Sequence, residues 1–247
     1  MLSAMEIKTY IKNSPQKASQ LISVLIRLPK LIRVRLQSAE SVKVSAIHES
    51  DTEHLRHLLE VCGSDKSVRH DYHLIYGPFL SSIKNEPGLI VEIGLGTHNP
   101  TILSHMDSRY KPLGGIRAFR DFLPNAHALG ADIDREVLVS EERLDSYYLN
   151  QLKPSTFSEL QNAIRKHGGG VNFAVIDGLH RPVPDLNSVI ALIPYLKVNG
   201  RLYVEDISKR FGLTLMWKAL LRLLPKNFRY VMTTHEHAQV IMIERMN

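Results

Sequence analysis

The pattern of hydrophobic and polar positions changes character once, near residue 88. Before that point apolar residues recur at three- and four-residue spacings, and "TEHLRHLLEVCG" and "DYHLIYGPFLSSIK" predict helices within residues 51–85. After it, short apolar runs alternate with helical segments. "GLIVEIGLG" is a continuous apolar run closed by glycines, the pattern of a strand buried on both faces. "GIRAFRDFL" has helical spacing, "AHALGADID" reads as a strand and "SYYLN" as a short one. "TFSELQNAIRKHGGG" is a helix with a glycine stop. "FAVIDG" and "RLYVEDI" then read as strands, and "DLNSVIALIPYLKVNG" and "LTLMWKALLRLL" as helices. "FRYVMTTHEHAQVIMIERM" closes the chain as two strands around a polar turn that carries His235 and His237. Such alternation predicts an α/β, Rossmann-like, doubly wound and mostly parallel sheet of seven strands, with an antiparallel C-terminal hairpin.

Residues 1–60 are read as a helical, basic N-terminal extension and 61–247 as the main domain. Within the extension, "KASQLISVLIRLPKLIRVRLQSA" mixes Leu, Ile and Val with Arg and Lys, and Pro29 predicts a kink. The net charge is +6, and residues 1–37 carry all of it: seven Lys and Arg against Glu6. The remainder is electrically neutral, so the high pI does not predict a nucleic-acid partner. Two readings of the extension stand. It lies on an anionic membrane surface, gaining about 1 kcal/mol per basic residue, or it packs on the main domain or on a partner, with a homo-oligomer left open. The single cysteine, Cys62, excludes an internal disulfide and a multi-cysteine zinc site. No apolar run approaches the roughly 20 residues of a membrane span. The N-terminal apolar run, short, late and interrupted by Arg and Pro, does not match a secretory leader. A cytoplasmic setting is expected, with the inner face of the membrane as a peripheral site.

The loop "VEIGLGTHNP" follows the first strand, where a doubly wound sheet binds its ligand. A nicotinamide fold wants a third glycine beneath the pyrophosphate; here Asn99 and Pro100 stand there, and residues 97–114 read as loop. Glu92, Gly94 and Gly96 instead make the ExGxG pattern of class I S-adenosylmethionine (SAM) methyltransferases. "GADID" offers Asp132 and Asp134 at the end of the second strand, with Asp132 favoured for the ribose hydroxyls.

"FAVIDGLH" and "RLYVEDI" converge at the same sheet edge if their strands are neighbours. Asp177, Glu205 and Asp206 then form an oxygen-rich set suited to Mg²⁺ or a similar ion, with His180 as general base. An alkyl hydroxyl is too weak an acid for a neutral imidazole alone, and metal coordination closes that gap. His70, Tyr72 and Tyr76 are read either as a lid over SAM or as core. The rival functions are a nicotinamide-dependent oxidoreductase and a non-catalytic, membrane-peripheral protein that keeps SAM as a structural ligand.

Four segments together resemble the SAM- and metal-dependent O-methyltransferases related to the macrolide sugar methyltransferases of the mycinamicin type. They are "GSDKSVRHDYHLIYGPF", with Asp65, Lys66, His70, Tyr72 and Tyr76, "GGIRAFRDFLPNAHALGADID", with Gly115, Arg117 and Asp132, "VIDGLH", and "VEDI". The resemblance implies Asp177, Glu205 and Asp206 as Mg²⁺ ligands, His180 as base, and methyl transfer to a hydroxyl of a sugar or glycosylated metabolite. It places Asn150 where many relatives carry an adenine-side Asp. Ile176 and Leu179 depart from the family pattern, and the loop of residues 97–115 is long.

Overall fold

The structure, a computed structural model, describes residues 37–38, 46–234 and 239–247. The basic segment of residues 1–37, apart from Gln37, and both histidines of the final turn lie outside the described residues. The strands are β1 (Gln37–Ser38), β2 (Gly88–Ile93), β3 (Ala126–Asp132), β4 (Ser140–Glu141), β5 (Leu144–Tyr148), β6 (Val171–Ile176), β7 (Leu196–Ile207), β8 (Phe228–Thr234) and β9 (Gln239–Arg245). They form one sheet in the order β1-β8-β9-β7-β6-β2-β3-β5-β4. Neighbours from β5 through β7 are parallel, while β9 runs antiparallel to β7 and β8. Among the described residues the sheet has nine strands where seven were expected. The extra two, β1 and β4, are two-residue pairings at its edges, too short to leave a periodicity in the sequence.

The helices are α1 (Ala46–Val61), α2 (Asp65–Val68), α3 (Tyr72–Ser82), α4 (Gly114–Phe122), α5 (Ser158–Lys166), α6 (Pro182–Leu192) and α7 (Phe211–Leu221). By their contacts the residues divide into two units, the larger spanning 36–209 and 225–247. The segment Arg210–Leu224, with α7, belongs to the smaller one.

In the larger unit α1, α3 and α4 share a core with Ile90 of β2, Phe173 of β6 and Tyr203 of β7. The ring of Phe173 meets Tyr76 at 5.4 Å and Phe119 at 5.0 Å, both edge-on, the arrangement aromatic quadrupoles favour. Burying a Phe of this kind contributes about 1.5–3 kcal/mol. The alternate residues Leu89, Val91 and Ala174 are just as buried, so both faces of the sheet are covered. One boundary moves from its expected place. Residues 46–60 were assigned to the extension, yet Leu55 and Leu59 of α1 have no exposed surface and belong to this core. No helix among the described residues is long and apolar enough to cross a membrane.

Candidate active site

The glycine loop begins where β2 ends, and no helix follows until Gly114. A pyrophosphate would therefore find no helix N-terminus directly after these glycines. Gly94 has a φ of +94°, and a Cβ there would stand 2.1 Å from the carbonyl oxygen of Asp177. Only glycine lets the β2 loop and the β6 loop approach this closely. Asp132 ends β3 with its carboxylate turned back onto the loop, where Oδ2 accepts the Leu95 N–H at 2.6 Å and Oδ1 the Asp134 N–H at 2.8 Å. Burial raises its pKa, and those backbone donors work against the rise.

These residues border a cavity of ≈ 280 Å³ whose wall includes Gly94, Gly96, Asp132, Asn150, Leu149 and Leu179. Gln151, which sequence reasoning missed, ties its far side together. Its Oε1 accepts the Leu179 N–H at 2.8 Å, and its amide donates to Ser188 Oγ at 3.0 Å. A lone Gln after a strand carries no sequence signal for such a role.

On the other side of the glycine loop lies a polar cavity of ≈ 250 Å³, lined by Glu92, Lys66, His70, Asp177, His180 and Asp206 among others. Gly94, Gly96 and Asp177 border both cavities. Lys66, 3% exposed, sits at the floor of the second. Its ammonium donates to Asp177 Oδ2 and, at 2.7 Å, to Glu205 Oε2, and stands 3.4 Å from Glu92 Oε1. Gly115 makes room for this cluster, since a Cβ there would lie 2.6 Å from Glu92 Oε1 and 2.8 Å from Lys66 Cε.

Burial opposes the Lys66 charge, yet Asp177, Glu205 and Glu92 outweigh it and hold the ammonium well above its ordinary pKa. Burial also pushes at Asp177, but Lys66 and His180 keep that carboxyl below its usual range. Glu92 and Glu205 go the other way. Burial, against the pull of Lys66, brings Glu92 up to about 7, and burial with the charge of Asp177 raises Glu205 strongly. One carboxylate oxygen, Glu92 Oε2, is buried without a hydrogen-bond partner.

Glu205 and Asp206 are neighbours in β7, and a regular strand would send them to opposite faces. The pairing of β7 with β9 shifts between Val204 and Ile207, and Asp206 takes a left-handed φ of +54°. The irregularity lets α3 serve both acids. Tyr72 and Tyr76, one helical turn apart, donate to Asp206 Oδ1 and Glu205 Oε1 respectively. His180 also has a left-handed φ, +50°, and such backbone in non-glycine residues costs on the order of 1–2 kcal/mol each.

Asp177, His180 and Asp206 each bring a ligand atom within 4.8 Å of the others'. Glu205, expected beside them, is not on the cavity wall and is 1% exposed, held by Lys66 and Tyr76. Tyr72 and Tyr76, expected to touch SAM, are buried in the core, and neither borders either cavity. Glu92 faces the polar cavity, whereas Asp132 and Asn150 face the apolar one. His70 lines the polar cavity and stacks on Tyr72 at 5.2 Å.

A scan of protein-family models and a search of curated proteins find no match to the chain. Among solved structures, the chain is similar to MycE methyltransferase from the mycinamycin biosynthetic pathway, in complex with Mg, SAH and mycinamycin VI. The identity is 19% over 78% of this chain and 53% of that one, with a TM-score of 0.61. A second MycE structure, with Mg and SAH, matches at 18% identity over 78% of this chain and 55% of that one, with a TM-score of 0.62. The likeness is one of fold: this chain shares the α/β fold of MycE methyltransferase and spans about half the length of the MycE chains.

Proposed function

We propose that this chain is a SAM-dependent O-methyltransferase that acts on a hydroxyl of a sugar or glycosylated small molecule with the help of a divalent cation. One observation carries the reading: two cavities of opposite character meet at Gly94, Gly96 and Asp177. The apolar one suits adenosine, with Asp132 as the acceptor for the ribose hydroxyls and Asn150 beside it. The buried, unpartnered Glu92 Oε2 fits the amino group of SAM's methionine part, which the two glycines let approach the backbone.

In the polar cavity Asp177 and Asp206 supply oxygen ligands of the kind a hard divalent cation takes. Glu205, which the family resemblance places among the ligands, would join them only by leaving Lys66 and Tyr76. When bound, SAM supplies the electrophilic methyl group, and the cation acidifies a hydroxyl it coordinates. The protein's own part is to orient and to move a proton. His180 Nε2, 3.6 Å from Asp177 Oδ1, accepts the acceptor's hydroxyl proton in this reading. Asp177, beside that same nitrogen, stabilises the imidazolium once the proton has moved. Lys66 neutralises the buried acids behind it, and its hydrogen bonds hold Asp177 in one position.

Transfer of labelled methyl from SAM to a panel of hydroxylated glycosides tests the reading. Turnover that EDTA abolishes and added Mg²⁺ restores is the expected result. Turnover indifferent to EDTA removes the cation from the proposal, and NADH-dependent redox chemistry would replace it altogether.

A further inference from the structure

A second cluster of metal-ligating side chains lies in the same unit, at the opposite end of the strands. His127 stands near the start of β3, five residues before Asp132, about 16 Å along a strand. Asp145 comes from β5, the strand hydrogen-bonded to β3, and His167 follows the last turn of α5. The candidate active site uses none of the three. His127 Nε2 lies 3.0 Å from Asp145 Oδ2, and the rings of His127 and His167 stack at 4.2 Å with an interplanar angle of 24°. One ligand atom from each of the three falls within 4.8 Å of the others.

We infer that His127, Asp145 and His167 form a second divalent-metal site, selective for a borderline transition ion such as Zn²⁺ or Ni²⁺ over Mg²⁺. Two imidazoles and one carboxylate are the donors such ions prefer, whereas Mg²⁺ favours oxygen. The surroundings orient the carboxylate among the three donors. The other oxygen of Asp145 accepts the Ser140 hydroxyl at 2.7 Å, an outer hydrogen bond that orients the ligand. His167 is exposed at the end of its helix, so its ring can turn out of the stack to aim a nitrogen at an ion beside Asp145. Bound there, the ion would join β3, β5 and the C-terminal end of α5. Its coordination number would be completed by water.

The test uses the full chain carrying Asp177→Asn and Asp206→Asn, so that the first cluster does not contribute. After EDTA treatment it is titrated calorimetrically with ZnCl2 and, separately, with MgCl2. The inference expects one Zn²⁺ per chain and no Mg²⁺ uptake. In that background His167→Ala, His127→Ala and Asp145→Asn should each weaken Zn²⁺ binding about tenfold or more. His167→Ala is the decisive variant because the residue is exposed and its loss leaves the core intact; unchanged circular dichroism confirms this. Zn²⁺ should raise the melting temperature of the parent and not of His167→Ala. Zn²⁺ binding that survives in His167→Ala, or no binding at micromolar Zn²⁺, overturns the inference. Neither outcome touches the proposed methyl transfer, which rests on the other end of the sheet.

Discussion

The two cavities beside the glycine loop are built from the same strand ends yet differ in kind. The apolar one, around Asp132 and Asn150, holds its acid by backbone N–H groups of the adjacent loops. At the polar one a single buried lysine holds Glu92 and Asp177 of its wall and Glu205 behind it. A carboxylate fixed by backbone amides is settled locally, whereas one fixed by a distant ammonium depends on the whole fold closing around it. The first arrangement suits a site that recognises a ligand. The second suits a site whose charge changes during a reaction, because low dielectric magnifies every charge placed there.

The sharpest way to break this contrast is to remove the base. His180→Ala should lower methyl transfer by about 10²–10⁴-fold and leave SAM affinity intact, because His180 lies outside the apolar cavity and is not among the residues proposed to hold SAM. Parallel loss of SAM binding in a calorimetric titration would mean that the cavities are not separate.

The next largest effect should come from Lys66→Met. It leaves Glu92, Asp177 and Glu205 facing one another without their ammonium, and breaking a buried ion pair costs about 3–5 kcal/mol. Denaturant unfolding measures the loss, and a divalent cation should restore part of it. An unchanged midpoint would show that Lys66 does not hold the cluster together.

Sequence and structure part company at this same place. The apolar runs that end in Glu92, Asp132, Asp177 and Glu205–Asp206 are legible because a buried strand needs continuous hydrophobicity and any acid at its end stands out. The fold order follows from the same runs. Lys66 is not legible as a counter-ion, since Asp177 and Glu205 lie 111 and 139 residues away and nothing local marks the lysine as buried. Glu205 and Asp206 read as an equivalent pair. The bulge that divides their roles is a property of strand pairing, and pairing has no signature in two adjacent letters. Tyr72 and Tyr76 were visible as a stripe, but whether a stripe faces a ligand or a core is decided by what packs against it.

A further effect, on the pH dependence of stability rather than on the site, concerns Asp185, a buried acid of α6 that neither cavity uses. Burial, with the charge of Asp177, pushes its carboxyl up to about 8. The native state therefore keeps a proton that the unfolded chain releases from about pH 4 upward. Stability falls as pH rises through the window from 4 to 8, by at most about 1.4 kcal/mol per unit, and the slope ends above it. Asp185→Asn should flatten this part of the stability profile in thermal melts. An identical slope in the variant would assign the dependence to other groups.

The most direct test of the central claim is a pair of calorimetric titrations, SAM and then Mg²⁺, on the wild-type protein and on Asp177→Asn. The account predicts that SAM affinity stays within about threefold while Mg²⁺ binding disappears, because the Asp177 carboxylate groups with His180 and Asp206 while its backbone carbonyl lies against Gly94. Loss of both ligands together, or Mg²⁺ binding undiminished, would contradict it.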